Sequence, residues 1–193
     1  MTPKDNKRPR IRKNYTDTVP FPSELNLKPI GKIRSPYKER HGTPRQSELQ
    51  ARPDDYEPVE ATIELFESEV PATALKDIEG FERIWVISWL HLNTHWNPTV
   101  LPPRGPKIRR GTLATRAPHR PNPIGLSAVR LLRVEKNRII VEGVDLLDNT
   151  PVLDIKPYVS YCDAFPNARC GYVDELEKQG AHERHVEGAK THR

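Results

Sequence analysis

Arg116, His119, Arg120 and Asn122 fall within seven consecutive residues of the stretch T-R-A-P-H-R-P-N-P-I-G-L-S, Thr115 to Ser127. Guanidinium forks, an imidazole and a carboxamide at that density suit an anion or a nucleotide, because planar paired donors match carboxylate and phosphate oxygens. The same stretch holds Pro118, Pro121 and Pro123. Each proline fixes φ near −65° and removes an N–H, so the segment can be neither a helix nor a central strand. The residue before each proline is pushed toward extended backbone. The frame is therefore stiff, and it presents its polar side chains at low entropic cost. Gly125 permits a sharp redirection or the close approach of a ligand. A plain surface connection would account for the prolines but not for four recognition side chains on one frame.

A second group with chemical capacity is D-L-L-D-N-T-P-V-L-D-I-K-P-Y, Asp145 to Tyr158. Asp148-Asn149-Thr150-Pro151 is turn chemistry, and Asn149 tolerates a left-handed conformation. Asp145, Asp148 and Asp154 cluster around that turn with Lys156 and Tyr158. Carboxylates there could bind ribose hydroxyls or take a proton, although for any single aspartate a surface acid or an Asx turn is the simpler account. Gly42 to Ser47, G-T-P-R-Q-S, is another stiff polar turn, with Arg45 and Gln46 as candidate contacts. Arg104, Lys107, Arg109, Arg110, Arg116 and Arg120 form a basic strip without an acid, leading into the proline loop. With His119 and the nearby Trp96 this pattern resembles a nucleic-acid track. His91 and His95 are four apart but lie on strand and loop, and His182 and His185 do not form the HExxH arrangement, so no metal is assigned.

These groups need elements to hold them. Leu27 to Ile33 reads as a short strand. Ala61 to Phe66 alternates Ile63 and Leu65 with Thr62 and Glu64, the period of a half-buried strand. Pro71 to Glu79, with Gly80 beyond its end, has the proline-first, glycine-last pattern of a short helix. Ile84 to Leu92, I-W-V-I-S-W-L-H-L, is β-branched and aromatic and reads as a buried central strand ending at His91. Ala128 to Val134 and Ile139 to Val144, split by Glu135-Lys136-Asn137-Arg138, predict a β-hairpin. Several short strands, one or two short helices and proline-rich loops describe an all-β fold, mainly an antiparallel barrel. No G-x-G-x-x-G and no P-loop occur, and alternating β-α units are missing, so a doubly wound nucleotide-binding fold is not expected.

The chain has 193 residues, 30% of them charged, with a formal net charge of +5. That length holds one domain plus tails, and the mild basic excess favours a polyanionic partner. The expected division is a basic tail over 1–25, a barrel domain over 26–175 and a polar tail over 176–193. The first tail gathers Lys4, Lys7, Arg8, Arg10, Arg12 and Lys13 around a single acid, Asp5, and suits either loose phosphate binding or mere solubility. Cys162 and Cys170 are the only cysteines, which fits a cytosolic protein with free thiols. No apolar run approaches the ~20 residues of a membrane span, and the basic N-terminus has no apolar segment behind it, so a secretory signal is not expected.

The two long motifs, T-R-A-P-H-R-P-N-P-I-G-L-S and D-L-L-D-N-T-P-V-L-D-I-K-P-Y, resemble those of the TsaA-like family, also called YaeB or TrmO-like. I-G-K-I-R-S-P-Y-K-E-R at Ile30 to Arg40, T-P-R-Q at Thr43 to Gln46 and W-N-P-T-V-L-P-P-R at Trp96 to Arg104 agree in order and spacing, so the match runs from about Leu27 to Glu175. The resemblance implies a β-barrel that binds S-adenosylmethionine without a Rossmann fold. It implies methylation of N6 of threonylcarbamoyladenosine next to the anticodon of certain tRNAs, by a homodimer with the cofactor near the subunit interface. Carried over by residue, the cofactor contacts fall on Pro44, Arg45 and Gln46, on His91 and Leu92, on Arg116, on Leu126, and on Gly143, Val144 and Asp145. Substrate contacts are expected from Arg109, Arg110, Arg120, Asn122, Lys156 and Tyr158. The general base stays open among Asp145, Asp148, Asp154 and His119. His119 stands where many members have an aromatic, and Asn149 where glycine is usual. The C-terminal domain of the longer bacterial members is expected to be missing, leaving less surface to grip tRNA. Two other readings stand beside this one: a methyltransferase of the same fold acting on another RNA or small molecule, and a non-catalytic RNA-binding module.

Overall fold

A computed structural model describes residues 22–39, 43–44, 59–103 and 105–178. Six strands close into an antiparallel barrel. In chain order the strands are β1 (Gly31–Arg34), β2 (Glu60–Leu65), β3 (Arg83–Trp89), the short pair β4 (Thr99–Val100) and β5 (Arg110–Gly111), then β6 (Ile124–Glu135), β7 (Arg138–Glu142) and β8 (Pro151–Pro157). Around the barrel the order is β1-β2-β7-β6-β3-β8, and β4 and β5 form a separate two-stranded sheet. Two short helices follow, α1 (Ser160–Asp163) and α2 (Tyr172–Lys178). The all-β antiparallel fold expected from the sequence is the one observed.

The barrel forms because apolar residues repeat with period two on β2, β3 and β6 and run continuously on β7. Ile63 and Leu65 on β2, Ile84 and Val86 on β3, Val129 and Leu131 on β6, and Ile139 and Val141 on β7 all point inward and are buried. Cross-strand partners lock them in register: Ile33 faces Ile63, Ile63 faces Ile139, and Ile84 faces Val129. β-Branched side chains suit such pleated surfaces. β6 and β7 form the expected hairpin, turning at Lys136, whose φ is 57°. Irregularities between Ile87 and Ser88 on β3 and between Leu131 and Arg133 on β6 re-aim the strands, as bulges do at barrel rims.

Four elements differ from the sequence expectation. Pro71 to Glu79 is not one helix but two 3-10 turns, Ala72–Leu75 and Ile78–Gly80. Asp77 between them is left-handed at φ 67°, which interrupts any helical ladder. The proline loop also ends earlier than its composition suggests. β6 begins at Ile124, immediately after the last proline, so Gly125, Leu126 and Ser127 pair with β3 as strand residues. β8, bounded by Pro151 and Pro157, escaped the sequence reading because prolines mark both its ends. Helix α2 carries structure past Glu175 to Lys178, with Leu176 buried against Gly105.

The barrel closes where β1 meets β8 through only two paired positions, Gly31 with Val152 and Lys32 with Pro151. A polar latch reinforces that short seam. Asn149 sits at φ 62° and its N–H donates to the Ile33 carbonyl at 2.8 Å. The Asp148 N–H donates to the Tyr37 carbonyl, also at 2.8 Å. The Asp148 carboxylate accepts the Ser35 N–H at 3.2 Å and pairs with Lys38 Nζ at 2.6 Å. Arg34 donates to Glu64 Oε2 and to Asn149 Oδ1, each at 2.8 Å. The Ser35 hydroxyl reaches the Leu146 carbonyl at 2.9 Å.

Burial pushes the Asp148 carboxyl up, but the Lys38 and Ser35 hydrogen bonds and the charges of Lys38 and Arg34 outweigh it and hold the group below its usual range. The unfolded carboxyl titrates near 3.9. The contribution is therefore complete above that value and drains away as pH falls through the lower folded pKa. Asp148→Asn keeps the shape and removes the charge. It is expected to cost roughly 1–3 kcal/mol in urea unfolding at neutral pH, with the gap to the wild type narrowing below about pH 4. A gap that stays constant down to that range would show that the charge does not hold the turn.

Candidate active site

One rim of the barrel gathers the chemistry. The chain leaves β3 at Trp89, and the Leu90 N–H donates to the Pro123 carbonyl at 2.7 Å, which pins the β3 exit to the end of the proline loop. Gly125 faces Ser88 across the ladder. A Cβ at Gly125 would run into the Ser88 hydroxyl and the Leu90 side chain, so only glycine allows this approach. On the next inward position of β6, the Ser127 hydroxyl donates to Asp145 Oδ1 at 2.6 Å. Asp145 is half-buried and follows Gly143, which is buried at φ 81°. That left-handed glycine turns the chain after β7 so that Asp145 comes alongside β6.

Two polar atoms at this rim are buried without a hydrogen-bond partner among the described residues: Ser88 Oγ and His91 Nδ1. An unpaired buried polar group costs about 1–3 kcal/mol, so two of them within four residues at the end of β3 make this rim the candidate site. The His91 ring lies edge-on to Trp89, with 6.1 Å between centroids. Leu92 and Leu126 are more than half exposed. Arg116 is exposed and carries no hydrogen bond or ion pair among the described residues. An exposed guanidinium, a half-buried carboxylate, two orphaned polar atoms and the exposed Leu92 offer contacts for a ligand with an anionic end, hydroxyls and a flat apolar ring, while Leu126 faces outward.

The loop that carries Arg116 is braced from within. Arg120 Nη1 donates to the Thr115 carbonyl at 3.3 Å, and the Thr115 hydroxyl donates to the Thr112 carbonyl at 2.9 Å. His119 Nδ1 lies 3.2 Å from the His95 carbonyl. A carbonyl only accepts, so that bond puts the ring proton on Nδ1 and leaves the lone pair on Nε2. Thr112, almost fully buried, donates its hydroxyl to the Asn97 carbonyl and its N–H to the Pro98 carbonyl. Segments 90–98 and 112–124 are in this way tied into one rim.

The predicted site residues separate into those the fold gathers and those it does not. His91, Leu92, Arg116, Gly143 and Asp145 lie on the rim, with His119, Arg120 and Asn122 beside them. Asn122 presents an exposed side chain. Val144 also lies there, but its side chain is buried in the core, so only its backbone can meet a ligand. Leu126 is on the outer face of β6, opposite to Ser127. Pro44 is described next to Thr43, whose hydroxyl donates to the Glu39 carbonyl at 2.6 Å, while Arg45 and Gln46 lie outside the described residues, as does Arg104.

Arg109 donates to the Thr99 hydroxyl at 2.9 Å and to the Thr99 carbonyl at 2.8 Å, and so braces the β4–β5 pair. Arg110 lies over the Tyr172 ring at 4.7 Å and ties α2 to the strip. Asp154 and Lys156 pair with each other at 2.7 Å on β8, where Lys156 faces Trp85 in the register. Tyr158 packs on Trp85 with 5.5 Å between centroids. These last three run toward the opposite end of the barrel from the rim, since β8 starts beside Ser88 and ends beside Ile84.

Sequence reasoning passed over Ser88, Ser127 and the role of Gly125. The available signal was the lone hydroxyl in the apolar run I-W-V-I-S-W-L. It also stopped the acid-free region too early: no aspartate or glutamate occurs anywhere from Arg83 to Val134.

Residues 32–164 match the family model described as the tRNA-methyltransferase O N-terminal domain. The chain is 38% identical over 158 residues to the tRNA (adenine(37)-N6)-methyltransferase of Escherichia coli strain K12, covering 78% of this chain and 65% of that one. It is 39% identical over 155 residues to a probable S-adenosyl-L-methionine-binding protein of Pyrococcus abyssi, covering 80% of this chain and 79% of that one. The crystal structure of TrmO from Pseudomonas aeruginosa superposes with a TM-score of 0.63 at 40% identity, covering 78% of this chain and 63% of that one. The chain therefore spans just under two thirds of the length of the E. coli and P. aeruginosa proteins. With a family model matched over well more than half its residues and a barrel shared with a solved member, this chain belongs to the tRNA-methyltransferase O N-terminal domain family.

Proposed function

We propose that the chain is an S-adenosylmethionine-dependent methyltransferase acting on N6 of threonylcarbamoyladenosine beside the anticodon of tRNA. The observation that carries this reading is the pair of orphaned polar atoms, Ser88 Oγ and His91 Nδ1, at the β3 exit, which Leu90 ties to the end of the Arg116 loop and which lies next to the strand whose Ser127 holds Asp145. The names of the E. coli and P. abyssi relatives support the same donor and the same class of acceptor.

The residues present fit the donor molecule. Arg116 would hold its carboxylate, as a free guanidinium does best. Asp145, steadied by Ser127, would take the ribose hydroxyls or face the sulfonium. Leu92 and Leu126 would flank the adenine. When bound, S-adenosylmethionine supplies a methyl group already activated by its positive sulfur. What remains for the chain is alignment and the removal of one proton. An N6–H next to a carbamoyl carbonyl is more acidic than that of a plain adenine, so a weak base is enough. Asp148 and Asp154 are each engaged by a lysine, which favours the Nε2 lone pair of His119 or the Asp145 carboxylate as the acceptor. Arg120 and Asn122 belong on the tRNA side. A cytosolic place of action goes with this substrate and with the exposed free thiols of Cys162 and Cys170.

The working unit in this reading is a homodimer. Leu126, Ile124 and Trp89 form an exposed apolar strip on the outer face of β3 and β6. Leu126 and Asp145 lie on opposite faces of the sheet, so one ligand touching both side chains calls for a second copy. Closed two-fold pairs are the commonest assemblies.

The direct test is to incubate the protein with the cofactor and tRNA carrying threonylcarbamoyladenosine, then analyse the nucleosides by mass spectrometry. One added methyl group on that nucleoside is expected, and none would overturn the reading. In calorimetry the wild type should bind S-adenosylmethionine. Arg116→Ala and Asp145→Asn should each weaken binding about ten-fold or more, the loss of one charge-assisted contact. Unchanged affinity in both would remove these residues from the site. Sedimentation equilibrium should show a dimer that Leu126→Asp converts to a monomer with reduced cofactor affinity. A wild-type monomer with full methylation activity would rule out the dimer requirement.

A further inference from the structure

The three tryptophans of the chain have different surroundings. Trp85 stacks on Tyr158 and donates its indole N–H to Asp163 Oδ2 at 3.0 Å. Trp89 meets the His91 ring. Trp96 alone has neither a ring contact nor an indole hydrogen bond among the described residues, and it is 47% exposed. A tryptophan brings a large apolar ring and a polar N–H, both of which ordinarily find partners within a fold.

The backbone under Trp96 is far from loose. His119 bonds to the carbonyl of His95, the residue before it. The Thr112 hydroxyl and N–H hold the carbonyls of Asn97 and Pro98, the two residues after it. Arg109 clamps Thr99 from two directions. The ring is therefore held out from a fixed support, so a partner that stacks on it loses little further freedom. The segment that carries it is one-signed as well, and the acids that come near the strip, Asp174 and Glu175 of α2, line a hollow with Arg110, Gly111 and Ala114. Lys107 and Arg116 are exposed nearby in sequence, and no acid occurs from Arg83 to Val134. An exposed aromatic face on an anchored, acid-free segment matches a flat ring attached to a phosphate backbone.

We propose that Trp96 is the stacking platform for a nucleobase of the tRNA anticodon loop, positioning the loop while the target adenine lies at the rim. This inference rests on the tRNA reading above. It assigns to Trp96 a role in placing the RNA and none in holding the cofactor.

The test uses the full chain and an anticodon stem-loop RNA, labelled for fluorescence anisotropy, at one fixed salt concentration. The wild type is expected to bind this RNA and to show quenched tryptophan emission on binding. Trp96→Ala should weaken RNA affinity by about five-fold or more, the usual effect of removing one stacked base contact. Trp96→Phe should restore most of that affinity and abolish most of the quenching. Cofactor affinity and melting temperature should be those of the wild type in both variants. RNA binding by the wild type with equal affinity in Trp96→Ala, or quenching that persists in Trp96→Phe, would overturn the stacking role and leave the tRNA reading intact. Loss of cofactor affinity in Trp96→Ala would make the residue structural and also overturn the proposal. Failure of the wild type to bind the RNA would overturn the tRNA reading itself, and the inference with it.

Discussion

Trp89 pairs with Ile124 at the last rung of the β3–β6 ladder, and the rim is placed from that rung. The ladder runs unbroken from Arg83 opposite Arg130 to this pair. Its register decides that Ser88 and Ser127 look into the barrel while Ile87, Trp89 and Leu126 look out. A slip by one residue would put two hydroxyls on the surface and two leucine-sized side chains into a core that has no room for them. Gly125 keeps the rung tight, because a side chain there would strike Ser88. The proline loop then leaves the barrel in a fixed direction, and Arg116 is carried with it.

The second constraint is the seam between β1 and β8. Two paired positions would be a weak closure for a six-stranded barrel, and the turn at Asp148 and Asn149 supplies what the ladder lacks. The same turn ends the segment that carries Gly143, Val144 and Asp145. Closing the barrel and presenting Asp145 are thus one structural event. Asp148, which by type could be a base, is instead a tether, since its oxygens face Ser35, Lys38 and Asn149.

The basic residues divide in the same way between support and display. Arg109 holds Thr99, Arg110 covers Tyr172 and Arg120 holds Thr115. These contacts keep the positive charge in place and stiffen the strip at the same time, so a polyanion would meet a preorganised surface rather than a brush of mobile side chains. Arg116 stays exposed on that support, and Trp96 is exposed with no ring contact or indole hydrogen bond among the described residues.

The sequence by itself determined the barrel and the rigid loop. Period-two burial at Ile63 and Leu65 and at Val129 and Leu131 is a property of residue order, and so is the stiffness that three prolines impose. The left-handed turn at Asn149 was readable for the same reason, as a local preference of one residue type. Tertiary structure decided which polar residues meet. Asp145, Asp148 and Asp154 are near neighbours in sequence, yet one turns to Ser127, one to Lys38 and Ser35, and one to Lys156. Ser88 became a candidate site residue only when the β3–β6 register set its hydroxyl, buried, opposite Gly125. Side-chain direction and the supply of hydrogen-bond partners depend on pairings between residues tens of positions apart, and no local pattern carries that information.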